Sequence, residues 1–343
     1  MDSIKNIKDL SCGMILNDDI INYKTGAVLA RKDTAITEQL IQKIINHGID
    51  KVKIKIKENS AIQNYKLVNS YGKLERKLDS LFRDIRNINS IIMDEVLCEM
   101  NNFAQVVSEE RNILTQMRLL NEKDDYTFNH SLSVSILAIS FGKWLNFSKD
   151  EIFELSLVGL FHDLGKLEIP DSIINKPAKL EIEEFKIMKE HSMHSYYILL
   201  ETGKFSKDVL MGVLHHHERR NGTGYPNGLV EEEIHEYAKI VAICDVYHAL
   251  TSKRVYKDKK SPLKVAEYIR KEGFSSLDPY LTHVFLDNIS MFYVGNEVLL
   301  SNGEVGIIIY VHPQDKTKPI VKVGENFINF LIPQEIEIVD IIL

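Results

Sequence analysis

Apolar residues recur at helical spacing through most of this 343-residue chain, and strand-like alternation is confined to its two ends. Near the N-terminus, the short apolar runs Gly13-Met14-Ile15-Leu16 and Ala27-Val28-Leu29-Ala30 are separated by the turn-like Asn17-Asp18-Asp19 and Lys24-Thr25-Gly26. A helix over 36–47 ended by Gly48, then the alternating strand Val52-Lys53-Ile54-Lys55-Ile56, complete a β-rich accessory unit over residues 1–60. A helical linker follows over 61–122. Within it Leu74, Leu78, Leu81, Ile85, Ile88 and Ile92 are spaced by four and three, a heptad-like helix over 71–97. Two readings stay open for that helix: a homodimerising coiled coil, or a long helix packed on its own core. Residues 123–290 read as helices near 126–146, 149–163, 181–202, 205–217, 231–252, 261–272 and 277–290. From 291 to 343 the β pattern returns. Runs at 296–300 and 305–309 flank the hairpin turn Ser301-Asn302-Gly303, and 319–323 and 335–339 add strands to a small β-barrel-like module. The predicted fold is mainly α, a helical domain flanked by small β-rich N- and C-terminal modules.

Composition narrows the partners. The chain is 44% hydrophobic and 27% charged, as in soluble globular proteins. No apolar run approaches the roughly 20 residues that cross a bilayer, and the first ten residues lack a signal-peptide core. The expectation is therefore a cytoplasmic protein that does not enter a membrane. Cys12, Cys98 and Cys244 are scattered, which argues against a disulfide framework or a cysteine-based zinc site. A net charge of −7 removes the basic footprint that duplex nucleic acid requires. A small anionic ligand feels only local cations and metals, so it stays in play.

The chemistry concentrates in the helical part, where nine of the twelve histidines fall between 130 and 248. His215-His216-His217 run into a loop carrying Gly222, Gly224, Pro226 and Gly228, a shaped turn beside adjacent imidazoles that no packing requirement produces. His162-Asp163 closes an apolar helix, with Gly165 placed to act as its left-handed cap. Neighbouring helical side chains diverge by about 100°, so this pair suits two metals with the aspartate between them better than one metal. His130, His191 and Asp245 offer further donors. Asp245 sits in the apolar run Lys239–Tyr247, where a charge is costly unless paired or metal-bound. An all-His/Asp set without cysteine suits Fe, Mn, Zn or similar ions, and a hydroxide bridging two of them is a strong nucleophile near neutral pH.

The order His130, His162-Asp163, His191, His216-His217, Asp245, with Gly224-Tyr225-Pro226 after the double histidine, resembles the HD-GYP branch of the HD metal-dependent phosphohydrolases. The resemblance runs from about 120 to 285 and includes the stretches 162–170, Met188-Lys189-Glu190-His191 and 250–256. It implies hydrolysis of the bacterial second messenger cyclic di-GMP to linear pGpG or GMP. It also implies that His130, His162, Asp163, His191, His216, His217 and Asp245 are ligands to two divalent metal ions, Fe or Mn first and then Zn, Ni or Co, with Asp163 as the bridge. Lys166 would hold a phosphate oxygen or protonate the leaving group, Arg254 would contact a second phosphate, and Gly224, Tyr225 and Pro226 would shape the mouth. The flanking β modules are similar to accessory segments of such proteins, suited to sensing or to a protein partner.

Three positions depart from the family pattern. Tyr126 stands where three-metal members carry a glutamate, which favours two metals. Asn221 replaces the usual aspartate of the loop. His248 replaces an aspartate on the helix face of Asp245, within reach of the metals or the substrate phosphate. The last two changes keep two alternatives open: a cyclic-dinucleotide receptor with little turnover, and a phosphohydrolase of another nucleotide such as cyclic GMP-AMP. His194 and His215 fall outside the ligand register, and Glu218 either orients a ligand imidazole or is simply exposed, the first being favoured.

Overall fold

A computed structural model describes the chain except residues 1, 8–9, 11–14, 23–25, 33, 35, 56–59, 84–89, 110–112, 114–116, 118–125, 253–260 and 343. The side chains of 2–5, 15, 38–39, 55, 60–65, 83, 90 and 126–128 also lie outside the description. The chain divides into two compact units, Met1–Lys66 and Leu67–Leu343.

In the first unit, β5 (Lys51–Lys55) is the middle strand between β1 (Asp2–Asn6) and β2 (Ile15–Leu16), antiparallel to both. Strands β3 (Ile20–Ile21) and β4 (Val28–Ala30) pair separately. Helix α1 (Glu38–Asn46) is capped by Thr37, whose hydroxyl accepts the Leu40 N–H, and Gly48 follows its end at φ +67. The alternation in β5 sends Val52 and Ile54 into a core with Leu16, Ile20, Ile36 and Ile44, leaving Lys51 and Lys53 exposed.

The second unit is built mostly of helices. Helices α2 (Ser60–Arg83) and α3 (Ser90–Glu109) stand on either side of 84–89, in place of one helix over 71–97. Leu74, Leu78 and Leu81 are fully buried in the unit's own core, Ile92 packs against it, and Ile85 and Ile88 lie outside the described residues. Helices α4 (Tyr126–Trp144), α5 (Lys149–Phe161) and α10 (Glu236–Thr251) bury apolar residues on more than one face, the pattern of helices enclosed by neighbours. Ser148 and Glu151 form a capping box that starts α5. Gly159 lets α5 close on α4, since a Cβ there would stand 2.8 Å from Ser135 Cα.

Around these lie a 3-10 turn (Leu164–Glu168), α6 (Asp171–Ile174), α7 (Ile182–Lys189), α8 (His191–Thr202) and α9 (Lys207–His215). Helices α11 (Pro262–Glu272) and α12 (Pro279–Ile289) follow α10. The C-terminal sheet has the antiparallel order β10-β6-β7-β8-β9, from β6 (Glu297–Leu300), β7 (Val305–Val311), β8 (Pro319–Val323), β9 (Asn326–Asn329) and β10 (Ile338–Ile342). Its inward residues Val298, Leu300, Ile308, Val321 and Ile341 join the same core as the helices. The last strand starts three residues later than the pattern at 335–339 suggests; the Glu337 N–H is given to Ser301 Oγ. Among the described residues no helix is long and apolar enough to cross a membrane.

Candidate metal centre

The ends of α5, α7 and α9 meet the middle of α10 and the start of α4, and all seven expected ligand residues come together there. One atom each from Asp163, His191, His216 and His217 lies within 4.8 Å of the others, as does one each from His130, His162 and Asp245. Asp163 faces both groups. Its Oδ1 is 3.4 Å from His191 Nε2, while its Oδ2 is 3.4 Å from His162 Nε2 and 3.5 Å from His130 Nε2. His130 Nε2 lies 3.1 Å from Asp245 Oδ1.

The backbone sets the imidazoles' protonation. Nδ1 of His162, His191 and His216 lies 2.9, 2.7 and 2.6 Å from the carbonyl oxygens of Gly159, Met188 and Val213, in each case three residues back. A carbonyl only accepts, so each Nδ1 must donate, and each Nε2 lone pair is left facing the centre. The local reason is position. These histidines stand at or just beyond helix ends, where the last carbonyls have no helical N–H to accept from.

Burial pushes His191 down, His216 well down and His217 to about 3, so all three are neutral bases at pH 7. Burial works against ionised Asp163, but the Lys166 ammonium, 2.6 Å from Oδ2, and His162 hold its carboxyl well below the usual range. Burial likewise opposes Asp245, and its hydrogen bond with His130 overcomes that. His162 is lowered by burial, then raised further by the adjacent Asp163 carboxylate. His162 Nε2 and Asp163 Oδ1 are buried with no hydrogen-bond partner. Each such atom costs about 1–3 kcal/mol, and both are lone-pair donors aimed into one cluster. The donor set therefore fits divalent cations.

These signs give a pH prediction for the metal-free protein. His191, His216 and His217 take up protons less readily folded than unfolded, so their stabilising contribution is complete above the unfolded value near 6.5. It is lost as pH falls through that value toward about 3. Asp163 and Asp245, also depressed, add loss at lower pH, while His162 alone works the other way. The Tm should fall steadily from about pH 7 to about pH 4. A flat Tm over that range would show that these groups are not buried as described.

Gly165 does not adopt the left-handed conformation expected of it. It lies inside the 3-10 turn and is absent from the positive-φ glycines. Its necessity is spatial: a Cβ there would overlap the His191 carbonyl oxygen and the Ser195 nitrogen. Ser195, unmarked in the sequence, completes the contact. Its hydroxyl accepts the Gly165 N–H at 2.7 Å and donates to the His162 carbonyl at 2.9 Å. Only tertiary structure brings these three residues together.

Glu218 also has a different role from the one expected. It is buried and accepts the N–H groups of Asn227, Gly228 and Leu229 at 2.7, 3.1 and 3.0 Å, tying down the glycine loop instead of orienting an imidazole. Gly222 and Gly228 take positive φ at the two ends of that loop, and Gly224 packs directly on the backbone of Glu218 and Arg219. Tyr225 lays its ring 4.7 Å from that of His217. Asn221 Oδ1 accepts from the N–H and hydroxyl of Thr223, a turn that needs an acceptor but no charge. Glu218→Ala should cost about 1.5–3 kcal/mol by removing the charged acceptor shared by three loop N–H groups; urea titration measures it, and a loss under about 0.5 kcal/mol would contradict the tether.

His248 is buried with Nδ1 2.8 Å from His130 Nδ1 and Nε2 2.9 Å from Ser252 Oγ, so it packs behind a candidate ligand. His194 lies beside Glu190 at 3.8 Å, and His215 is buried outside both donor groups. Arg254 and the side chain of Tyr126 lie outside the described residues.

A family model for the HD domain matches residues 114–281, which contain every one of these donors. This stretch is an HD domain of the HD-GYP branch. This HD-GYP chain is 36% identical over 246 residues to the cyclic di-GMP phosphodiesterase PA4108 of Pseudomonas aeruginosa, covering 71% of the chain and 59% of that protein. It is 35% identical to the 3'3'-cGAMP-specific phosphodiesterase 1 of Vibrio cholerae over 56% of the chain and 45% of that protein. It thus spans about half the length of these curated relatives. Among solved structures, the HDG"Y"P protein Bd1817 of Bdellovibrio bacteriovorus shares the fold, with a TM-score of 0.53 at 14% identity over 84% of the chain and 99% of that protein.

Proposed function

We propose that this HD-GYP protein is a metal-dependent phosphodiesterase that hydrolyses cyclic di-GMP to linear pGpG or GMP. The observation that carries the reading is Asp163, one carboxylate facing two groups of donors. His191, His216 and His217 would hold one divalent ion, His130, His162 and Asp245 a second, with Asp163 shared. Fe or Mn suits such borderline N/O sets, ahead of Zn, Ni or Co. When bound, the pair supplies Lewis-acid charge against the phosphate and lowers the pKa of water.

The chain's own groups do the rest. The three carbonyl-anchored imidazoles already aim Nε2 at the centre and need no reorientation on loading. Lys166 pairs with Asp163 yet keeps 39% of its side chain exposed, so its ammonium can hold a phosphate oxygen or give a proton to the leaving 3′ oxygen. Tyr225 sits against His217 at the same place and offers a ring edge and hydroxyl to the nucleotide. The setting is the cytoplasm of a bacterium, where this messenger is made. Dimerisation through 71–97 draws no support from Leu74, Leu78 and Leu81, which are buried within the chain.

A second reading, hydrolysis of cyclic GMP-AMP, is favoured by the similarity to the Vibrio cholerae protein and by the replacement of two family carboxylates at Asn221 and His248. One experiment tests both readings. Protein loaded anaerobically with Fe, or with Mn, is incubated with a panel of cyclic dinucleotides and the products are separated. Linear dinucleotide or mononucleotide is expected from cyclic di-GMP. Product only from cyclic GMP-AMP would transfer the assignment, and tight binding without any product would make the protein a receptor.

A further inference from the structure

Five lysines lie along residues 166–189, three of them in ion pairs. Lys166, Lys176 and Lys186 each pair with a carboxylate: Asp163, Glu184 and Glu183. Lys189 has no carboxylate partner among the described residues. Its ammonium instead lies 4.8 Å from the ring centre of Phe185, one turn back on α7, and 5.3 Å from that of Tyr225 in the glycine loop. Two ring faces attract a cation without neutralising it, so the charge remains available to an anion.

The position of Lys189 is tied to the metal centre from two sides. The preceding carbonyl, of Met188, is the one that accepts from His191 Nδ1, and the Lys189 carbonyl accepts from Ser192 Oγ. Tyr225 in turn stands 4.7 Å from the His217 ring and 6.2 Å from the His191 ring. The free ammonium is therefore one aromatic ring away from the candidate ligands, on the side of the glycine loop.

A cyclic dinucleotide presents two phosphodiesters on one small covalent ring. When one lies at the metal donors the other is held close by, and it needs a cation that the metals do not supply. Resting on the cyclic-dinucleotide reading above, we infer that Lys189, clamped between Phe185 and Tyr225, binds the non-reacting phosphodiester of the substrate. A charge-assisted contact of this kind is worth about one order of magnitude in affinity or more. It does nothing for a substrate with a single phosphodiester.

The test compares metal-loaded wild type with Lys189→Met and Lys189→Arg on three substrates: cyclic di-GMP, cyclic GMP-AMP and bis(4-nitrophenyl) phosphate. Lys189→Met keeps the apolar stem between the rings and removes only the charge. It should raise KM about tenfold for both cyclic dinucleotides and leave kcat/KM for the simple diester within about twofold. Lys189→Arg should recover most of the loss. Equal losses on all three substrates would mean a structural role and overturn the assignment, as would no change on any. A loss confined to cyclic di-GMP would place Lys189 on a base edge and also overturn it. Wild type that cleaves the simple diester but no cyclic dinucleotide would remove the underlying functional reading, a failure distinct from the others because it needs no variant.

Discussion

Asp163→Ala should remove metal uptake and hydrolysis together while leaving the metal-free fold close to its original stability. The reasoning follows from what Asp163 touches. Its two oxygens face different donor groups, so its removal strips a ligand from both at once. Loss of the shared anion also leaves no negative charge between the two donor groups to offset the repulsion of two divalent cations. Turnover should drop by at least about 10³-fold, the scale on which metal and electrostatic stabilisation of a phosphoryl transition state act. Stability behaves differently. Oδ1 is buried without a hydrogen-bond partner, which offsets part of the pairing that Oδ2 gives up with Lys166, so the apo Tm should fall only modestly and the protein should stay folded. Elemental analysis of purified protein, kinetics on a cyclic dinucleotide and thermal melts of the chelated protein give the three readouts. Wild-type metal content in the variant would refute the central role of this carboxylate, and apo unfolding would recast it as structural.

Gly165→Ala should have the opposite signature: a large loss of stability, with metal loss as its consequence. The added Cβ meets main-chain atoms of His191 and Ser195, which cannot rotate aside as a side-chain tip would. Helix α8 must retreat, breaking the Ser195 link between the Gly165 N–H and the His162 carbonyl. A cost of about 3 kcal/mol or more is expected, the scale of overpacking in a dense interior. Gly203→Ala provides the control. Gly203 also ends a segment, at φ +65, but nothing lies within 4 Å of its Cβ position. Only the left-handed penalty of about 1 kcal/mol applies there. Urea midpoints of the two variants should therefore differ clearly, and equal midpoints would show that the turn does not pack on α8 as described.

The two glycines also show what could be read from the sequence. Most helices of residues 126–289 were legible within a few residues because their apolar residues recur over long stretches, but the one expected over 181–202 is two, α7 and α8, and the short α6 was not expected. The seven donors were legible because their chemistry is costly to bury for any other purpose and because their order resembles a known family. Gly165 was visible as a glycine but not as a contact, since the sequence does not say that α8 crosses the turn. Ser195 is one polar residue in an ordinary helix, and Glu218 follows the histidines closely enough to suggest an imidazole when its partners lie nine to eleven residues on. The start of α2 at Ser60 and the strand Asn326–Asn329 escaped for a local reason: both are rich in polar residues with weak periodicity.

The three imidazoles anchored to carbonyls three residues back make the centre sensitive to events along the helix axes. Each bond belongs to a terminal turn, the part of a helix that opens most readily. When the last turn of α5, α7 or α9 frays, the carbonyl leaves, the ring is free to swivel and the lone pair loses its aim. Metal retention is thereby coupled to the closure of three helix ends. Its release rate should follow local amide exchange at those turns and be largely independent of unfolding elsewhere in the chain.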